Sequence, residues 1–160
     1  MYMDNYNLKE KWNLWYHSIN DNKWSKDSYK EIFKINNLFD YQYIVDTFKQ
    51  DHYQNGMFFI MKDDIFPNWE DPSNRMGGCL SFKVPSKNII TEWKSLLLHC
   101  ISDNILTDDQ INGISISPKK EFNIIKLWIK DHDYDYKSNF RKISENIDIN
   151  NSLYKKHDIN

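Results

Sequence analysis

The stretch that decides the fold is Ile111-Asn112-Gly113-Ile114-Ser115-Ile116-Ser117-Pro118-Lys119-Lys120-Glu121-Phe122-Asn123-Ile124-Ile125-Lys126-Leu127-Trp128-Ile129-Lys130. Residues 111–117 alternate apolar and small polar side chains, the pattern of a strand with two different faces. Residues 122–130 form a second apolar run. Between them, Pro118-Lys119-Lys120 reads as a turn. Two strands joined by so short a connection make a hairpin and therefore pair antiparallel.

Working outward, further strands appear in the same style. Residues 11–17 alternate, with Trp12, Leu14 and Tyr16 on one face and Asn13, Trp15 and His17 on the other. Met57–Lys62 and Cys79–Val84 are short apolar runs, and Leu153-Tyr154 is expected to begin a closing strand. Three helices are expected. Asn37 caps an amphipathic stretch with Leu38, Tyr41, Val45 and Phe48 inward, and Asp40 complements its N-terminal dipole. Residues 89–103 carry the clearest apolar stripe, Ile89, Trp93, Leu96, Leu97, Cys100 and Ile101. Residues 136–147 are read as a third helix with Phe140, Ile143 and Ile147 inward, and residues 18–30 as a polar loop. Paired strands with helices between the pairs indicate an α+β domain, an antiparallel sheet with helices on one face. Residues 1–160 are expected to form one domain.

Bulk properties exclude several classes. The net charge of −2 rules out a polybasic nucleic-acid coat. Cys79 and Cys100 share no metal or redox spacing and are read as reduced. No apolar run is long enough to span a membrane and no signal-peptide pattern opens the chain, so a cytosolic location is expected. The chain contains no alanine, which suggests coding pressure toward A and T. There is no Gly-rich phosphate loop, nucleophile elbow or HExxH, and the histidines lack metal-ligand spacing. Asp63-Asp64 and Asp108-Asp109 read as solvated turn residues. No enzyme activity, cofactor or metal is expected.

The informative chemistry lies in two loops. Trp69 stands in Ile65-Phe66-Pro67-Asn68-Trp69-Glu70-Asp71, and Trp24 in Asp21-Asn22-Lys23-Trp24-Ser25. A single loop tryptophan is more often a core lid than a stacking platform. Two of them from one edge of a sheet can sandwich a planar ring, the more strongly if the ring is cationic. Glu70 can accept two hydrogen bonds from an N–H/NH₂ edge such as guanine presents. Trp12, Trp15 and Trp93 read as structural.

The chain resembles the eukaryotic translation initiation factor 4E family. Trp12-Asn13-Leu14-Trp15-Tyr16 is similar to its opening strand. Lys62 to Asp71, with Asn74 and Gly77-Gly78, is similar to its K-x-G-I-x-P-x-W-E-D…N…G-G segment. Trp93 with Leu97-Leu98, Gly113 followed by Ile125-Lys126-Leu127-Trp128, and Tyr154-Lys155-Lys156-His157 continue the match in order. The resemblance implies a curved sheet with about three helices on its convex face and a site for the 7-methylguanosine cap of mRNA on its concave face. It implies that Trp24 and Trp69 stack on the base, that Glu70 pairs with its N1–H and N2 amine, and that Trp128 lies beside the N7-methyl group. Counted without gaps, Lys119 falls where the family has a phosphate-binding arginine. Lys keeps the charge but not the fork. A second family lysine falls on Ile124, and the basic residue after Gly-Gly is Cys79, so Lys120 and Lys126 are the substitutes for the phosphate grip.

The implied partners are capped mRNA and, on the convex face, an initiation factor 4G-like scaffold or binding protein. That face departs from the family pattern at Gln42, Lys94 and Ser95. A monomer is expected, with no membrane partner. Two other readings remain open. One is a protein-interaction module or translation repressor that keeps the fold with a weakened cap site. The other is a general single-stranded RNA binder, against which the near-neutral charge argues.

Overall fold

The computed structural model describes residues 6–106 and 109–157, so the Asp108 half of the Asp108-Asp109 pair lies outside the described residues. Seven strands form one curved antiparallel sheet: β1 (Asn7–Ser18), β2 (Tyr29–Asn37), β3 (Gly56–Lys62), β4 (Gly78–Pro85), β5 (Ile111–Pro118), β6 (Phe122–Ile129) and β7 (Ser152–Lys156). Their order is β2-β1-β3-β5-β6-β4-β7. The expected β5–β6 hairpin is present, with Pro118 opposite Asn123. Helices α1 (Leu38–Thr47), α2 (Gln50–Asn55) and α3 (Ile89–Ile101) cover the convex face.

Alternation along each strand divides the core. Trp12, Leu14, Phe58, Ile60, Leu80, Phe82, Ile114 and Leu127 turn toward the helices and bury against Tyr41, Ile44, Trp93, Leu96 and Leu97. Each such side chain contributes about 1.5–3 kcal/mol on burial. The opposite alternates, Phe59, Met61, Cys79 and Trp128, make a smaller cluster with Tyr29 on the concave face. That cluster is the floor on which a site can be built.

α1 starts where expected. The Asn37 side chain accepts from the Asp40 amide at 3.0 Å, and the Asp40 carboxylate accepts from the Asn36 amide at 2.8 Å. Its inward residues are Tyr41 and Ile44, with Val45 and Phe48 half-buried, whereas Leu38 is exposed. α3 buries all six residues of its expected stripe. Both cysteines are buried free thiols, and burial pushes each up to about 12.

Two segments differ from expectation, and one helix is additional. The stretch 18–30 is not all loop, because Tyr29 opens β2, an edge strand. Only Tyr29 and Ile35 are buried there, so charged Lys30, Glu31 and Lys34 dilute its alternation. α2 carries no apolar stripe, since Tyr53 is its one buried residue, and the sequence reading passed over it. The helix expected at 136–147 is a single turn, α4 (Tyr136–Asn139), after which Phe140 is extended. Phe140 still packs on Phe82 at 5.8 Å and Ile147 is fully buried. The 3–4 spacing there reports burial, but the backbone is fixed by other bonds. Ser144 donates to Glu92, and the Ile147 amide donates to Ser144 Oγ at 3.0 Å.

Among the described residues no helix is long and apolar enough to cross a membrane.

Candidate functional site

Register sets out the concave face in rows. One row runs Trp15, Phe59, Ser115, Lys126, Ser81, Leu153 across β1, β3, β5, β6, β4 and β7. The next runs Met61, Gly113, Trp128, Cys79, Lys155. Over these rows lies a cavity of about 570 Å³. At a strand spacing of about 4.8 Å, the span from β3 to β7 is about 19 Å. The cavity is therefore a trench across the sheet. It is aromatic where the β1–β2 and β3–β4 connections overhang it and basic at β7.

The β3–β4 connection supplies Pro67, Asn68, Trp69 and Glu70 to the lining. Polar side chains hold it in shape. The Asp71 carboxylate accepts from the Phe66 and Ser73 amides, both at 2.9 Å. The Asn74 side-chain amide donates to the Phe66 and Asn68 carbonyls at 3.1 and 2.8 Å. Asn112 of β5 donates to Asn74 Oδ1 at 3.0 Å and to the Ser73 carbonyl at 2.7 Å. Asn74 and Asn112 are 1% and 3% exposed, so the bond between them is made away from water. The loop re-enters the sheet through Gly77-Gly78. A Cβ on Gly77 would overlap the Ile129 carbonyl, and one on Gly78 would sit 2.5 Å from the Lys155 carbonyl. Trp69 itself remains 40% exposed, so its ring is not a core lid.

Trp24 is 52% exposed and stacks on His17, with centroids 3.9 Å apart and planes 7° apart. The Trp128 indole donates to Ser115 Oγ at 3.1 Å, which fixes its ring in the floor beside His157. Burial, with a smaller contribution from the nearby Glu70 charge, pushes the Tyr29 phenol up to about 12. Burial, and secondarily Lys126, pulls the His157 imidazole below its ordinary value.

Of the residues singled out in the sequence, Trp24, Trp69, Glu70, Trp128 and Lys126 line the trench. Lys119 and Lys120 are not brought into it. They are exposed at the β5–β6 turn, which the Lys119 amide closes on the Phe122 carbonyl at 2.8 Å. The basic residues there besides Lys126 are Lys155, Lys156 and His157. The sequence pattern alone assigns them no role. Their signal was the alternation of 152–156, and its meaning depends on β7 pairing with the distant β4.

On the convex side Gln42 is exposed and donates to Asp46 at 2.9 Å. Lys94 is exposed, Ser95 is half-buried, and the Tyr41 hydroxyl ties α1 to the Lys94 carbonyl at 3.2 Å. Asp131, His132 and Asp133 bring three metal-type ligand atoms within 4.8 Å of one another. Asp131 accepts from the Asp133 amide at 3.0 Å, so the cluster already serves as a turn.

The model of the family described as "Eukaryotic initiation factor 4E" matches residues 7–159. A Saccharomyces cerevisiae relative named eukaryotic translation initiation factor 4E is 31% identical over 79% of this chain and 62% of its own length. A Dictyostelium discoideum relative of the same name is 28% identical over 77% of this chain and 52% of its own. The chain thus spans between half and two thirds of the length of these relatives. A solved complex of C. elegans eIF4E-3 with the 4E-binding protein Mextli and cap analog superposes with a TM-score of 0.74. It is 22% identical and covers 81% of this chain and 77% of the other.

Proposed function

The chain belongs to the eukaryotic initiation factor 4E family, and on that premise we propose that it binds the 7-methylguanosine cap of mRNA and acts in translation initiation or its control. One observation carries the proposal. Trp69 and Glu70 stand on a loop locked by buried hydrogen bonds, at the aromatic end of a trench whose other end is basic.

In this reading Trp24 and Trp69 sandwich the methylated base. Stacking contributes about 1–3 kcal/mol. The positive charge that N7-methylation places on the ring adds about 0.5–2 kcal/mol per indole face, which unmethylated guanine lacks. Glu70 accepts from N1–H and the N2 amine, charge-assisted bonds of the strong kind. The Trp69 amide donates to O6, and Trp128 packs beside the methyl group. Lys126, Lys155 and Lys156 neutralise the phosphates, while Lys119 and Lys120 remain solvated on their turn. A binding protein or 4G-like scaffold docks on the α1–α3 face with altered contacts at Gln42, Lys94 and Ser95.

The test is retention on immobilised 7-methyl-GTP, with fluorescence titration against GTP as control. Wild type is expected to be retained, and Trp69→Ala and Glu70→Ala to be lost. Retention of both variants overturns the reading. The buried, uncharged Cys79 after Gly77-Gly78 favours the alternative of an interaction module with a weakened cap site. No fluorescence quenching by cap analogue, together with a stable protein partner, would select that alternative.

A further inference from the structure

We infer that His17 is the positioning residue for Trp24, backing its indole and holding the β1–β2 connection through both ring nitrogens. The inference rests on the reading of Trp24 as one wall of the ligand site.

His17 is fully buried, between Tyr29 of β2 and Met57 of β3 in the sheet. Its ring lies parallel to the Trp24 indole at 3.9 Å and meets Tyr29 edge-on at 5.0 Å. One indole face is thus backed by the imidazole. His17 Nδ1 is 2.9 Å from the Ser18 carbonyl. Nε2 is 2.9 Å from the Lys23 carbonyl and 3.1 Å from Ser28 Oγ. The Ser28 hydroxyl proton goes to the Ser25 carbonyl at 2.7 Å, so Oγ is left to accept. Both ring nitrogens therefore face acceptors, at the start, middle and end of the connection that carries Trp24.

Trp24 is thus held by the ring of a buried histidine that backs the indole and bonds the connection carrying it. The Asp21 carboxylate adds a local bond from the Lys23 amide at 2.8 Å. Trp69 is held instead by side-chain amides and a carboxylate.

Two measurements test this. The first needs no ligand. The indole N–H signals of wild type, His17→Phe and His17→Ala are compared by ¹H–¹⁵N correlation. The Trp24 signal is expected to shift in His17→Ala and to move back toward its wild-type position in His17→Phe, and the Trp69 signal to stay still. A Trp24 signal that ignores both substitutions overturns the inference. The second measures 7-methyl-GTP affinity for the same three proteins. His17→Ala, which loses the stack and the bonds together, is expected to bind on the order of tenfold more weakly. His17→Phe keeps the flat ring and is expected to recover most of that loss. Wild-type affinity in His17→Ala, or no recovery in His17→Phe, overturns the inference. Where His17→Ala fails to fold, His17→Phe is compared with His17→Leu, and equal affinity overturns it. If wild type binds no cap analogue, the cap reading fails and the ligand-free comparison still decides the role of His17.

Discussion

Trp69 and Trp24 overhang one trench but are held there by different chemistry. The Trp69 loop is closed by Asp71, Asn74 and Asn112, groups with fixed donors and acceptors, most of them buried. The Trp24 loop has short-range bonds of its own and one histidine that ties its middle to the sheet, and its indole is the more exposed of the two. A site built this way has a rigid wall and an adjustable one. The rigid wall carries Glu70, which in the proposed reading pairs with the base edge. The adjustable wall supplies only stacking, which tolerates small displacements because it has no directional bonds to align.

The largest effect expected is on the rigid wall. Asn74→Ala removes three hydrogen bonds, two donated and one accepted, so the protein should lose roughly 3 kcal/mol of stability, taking about 1 kcal/mol for each. Urea denaturation measures this, and a loss under about 1 kcal/mol would mean that the loop is not locked by these bonds. Next, Trp69→Ala should weaken cap-analogue binding by about 1–3 kcal/mol, and Trp24→Ala by less within the same range. Fluorescence titration reads the order, and a larger loss at Trp24 would reverse the comparison.

A smaller effect is expected at the basic end. Lys155→Ala with Lys156→Ala should cost about 1 kcal/mol in 7-methyl-GTP affinity at low salt and little for the bare nucleoside. Lys119→Ala with Lys120→Ala should change neither. The reverse result would move the phosphate path to the β5–β6 turn. The smallest effect concerns pH. His157 is pulled below its ordinary value in the folded protein, so protonation favours the unfolded chain. Its contribution to stability is complete above the ordinary histidine range and declines as pH falls through it toward the folded value. Half exposure to solvent keeps the term small, and His157→Gln should flatten it in denaturation midpoints taken from pH 7.5 to 5.

Local pattern was enough wherever a segment's own residues fixed its state. The hairpin at 111–129, the α3 stripe and the Asn37 cap are all of this kind. It was insufficient where a distant partner intervened. β2 is a strand because β1 lies beside it, despite its charged residues. Residues 140–147 keep helical spacing of apolar side chains without a helix, because Glu92 of α3 captures Ser144.

By itself the sequence determined the α+β class, the positions of most strands along the chain and the two loops that carry Trp24 and Trp69-Glu70. These follow from periodicity and turn chemistry, which act over a few residues. Only the tertiary structure decided which lysines meet the trench, that His17 backs Trp24, and that Asn112 braces a loop nearly forty residues earlier in the chain. The reason is the strand order. β7 pairs with β4 and β3 with β5, so side chains far apart in sequence become neighbours about 5 Å apart across the sheet, and no local pattern encodes that register.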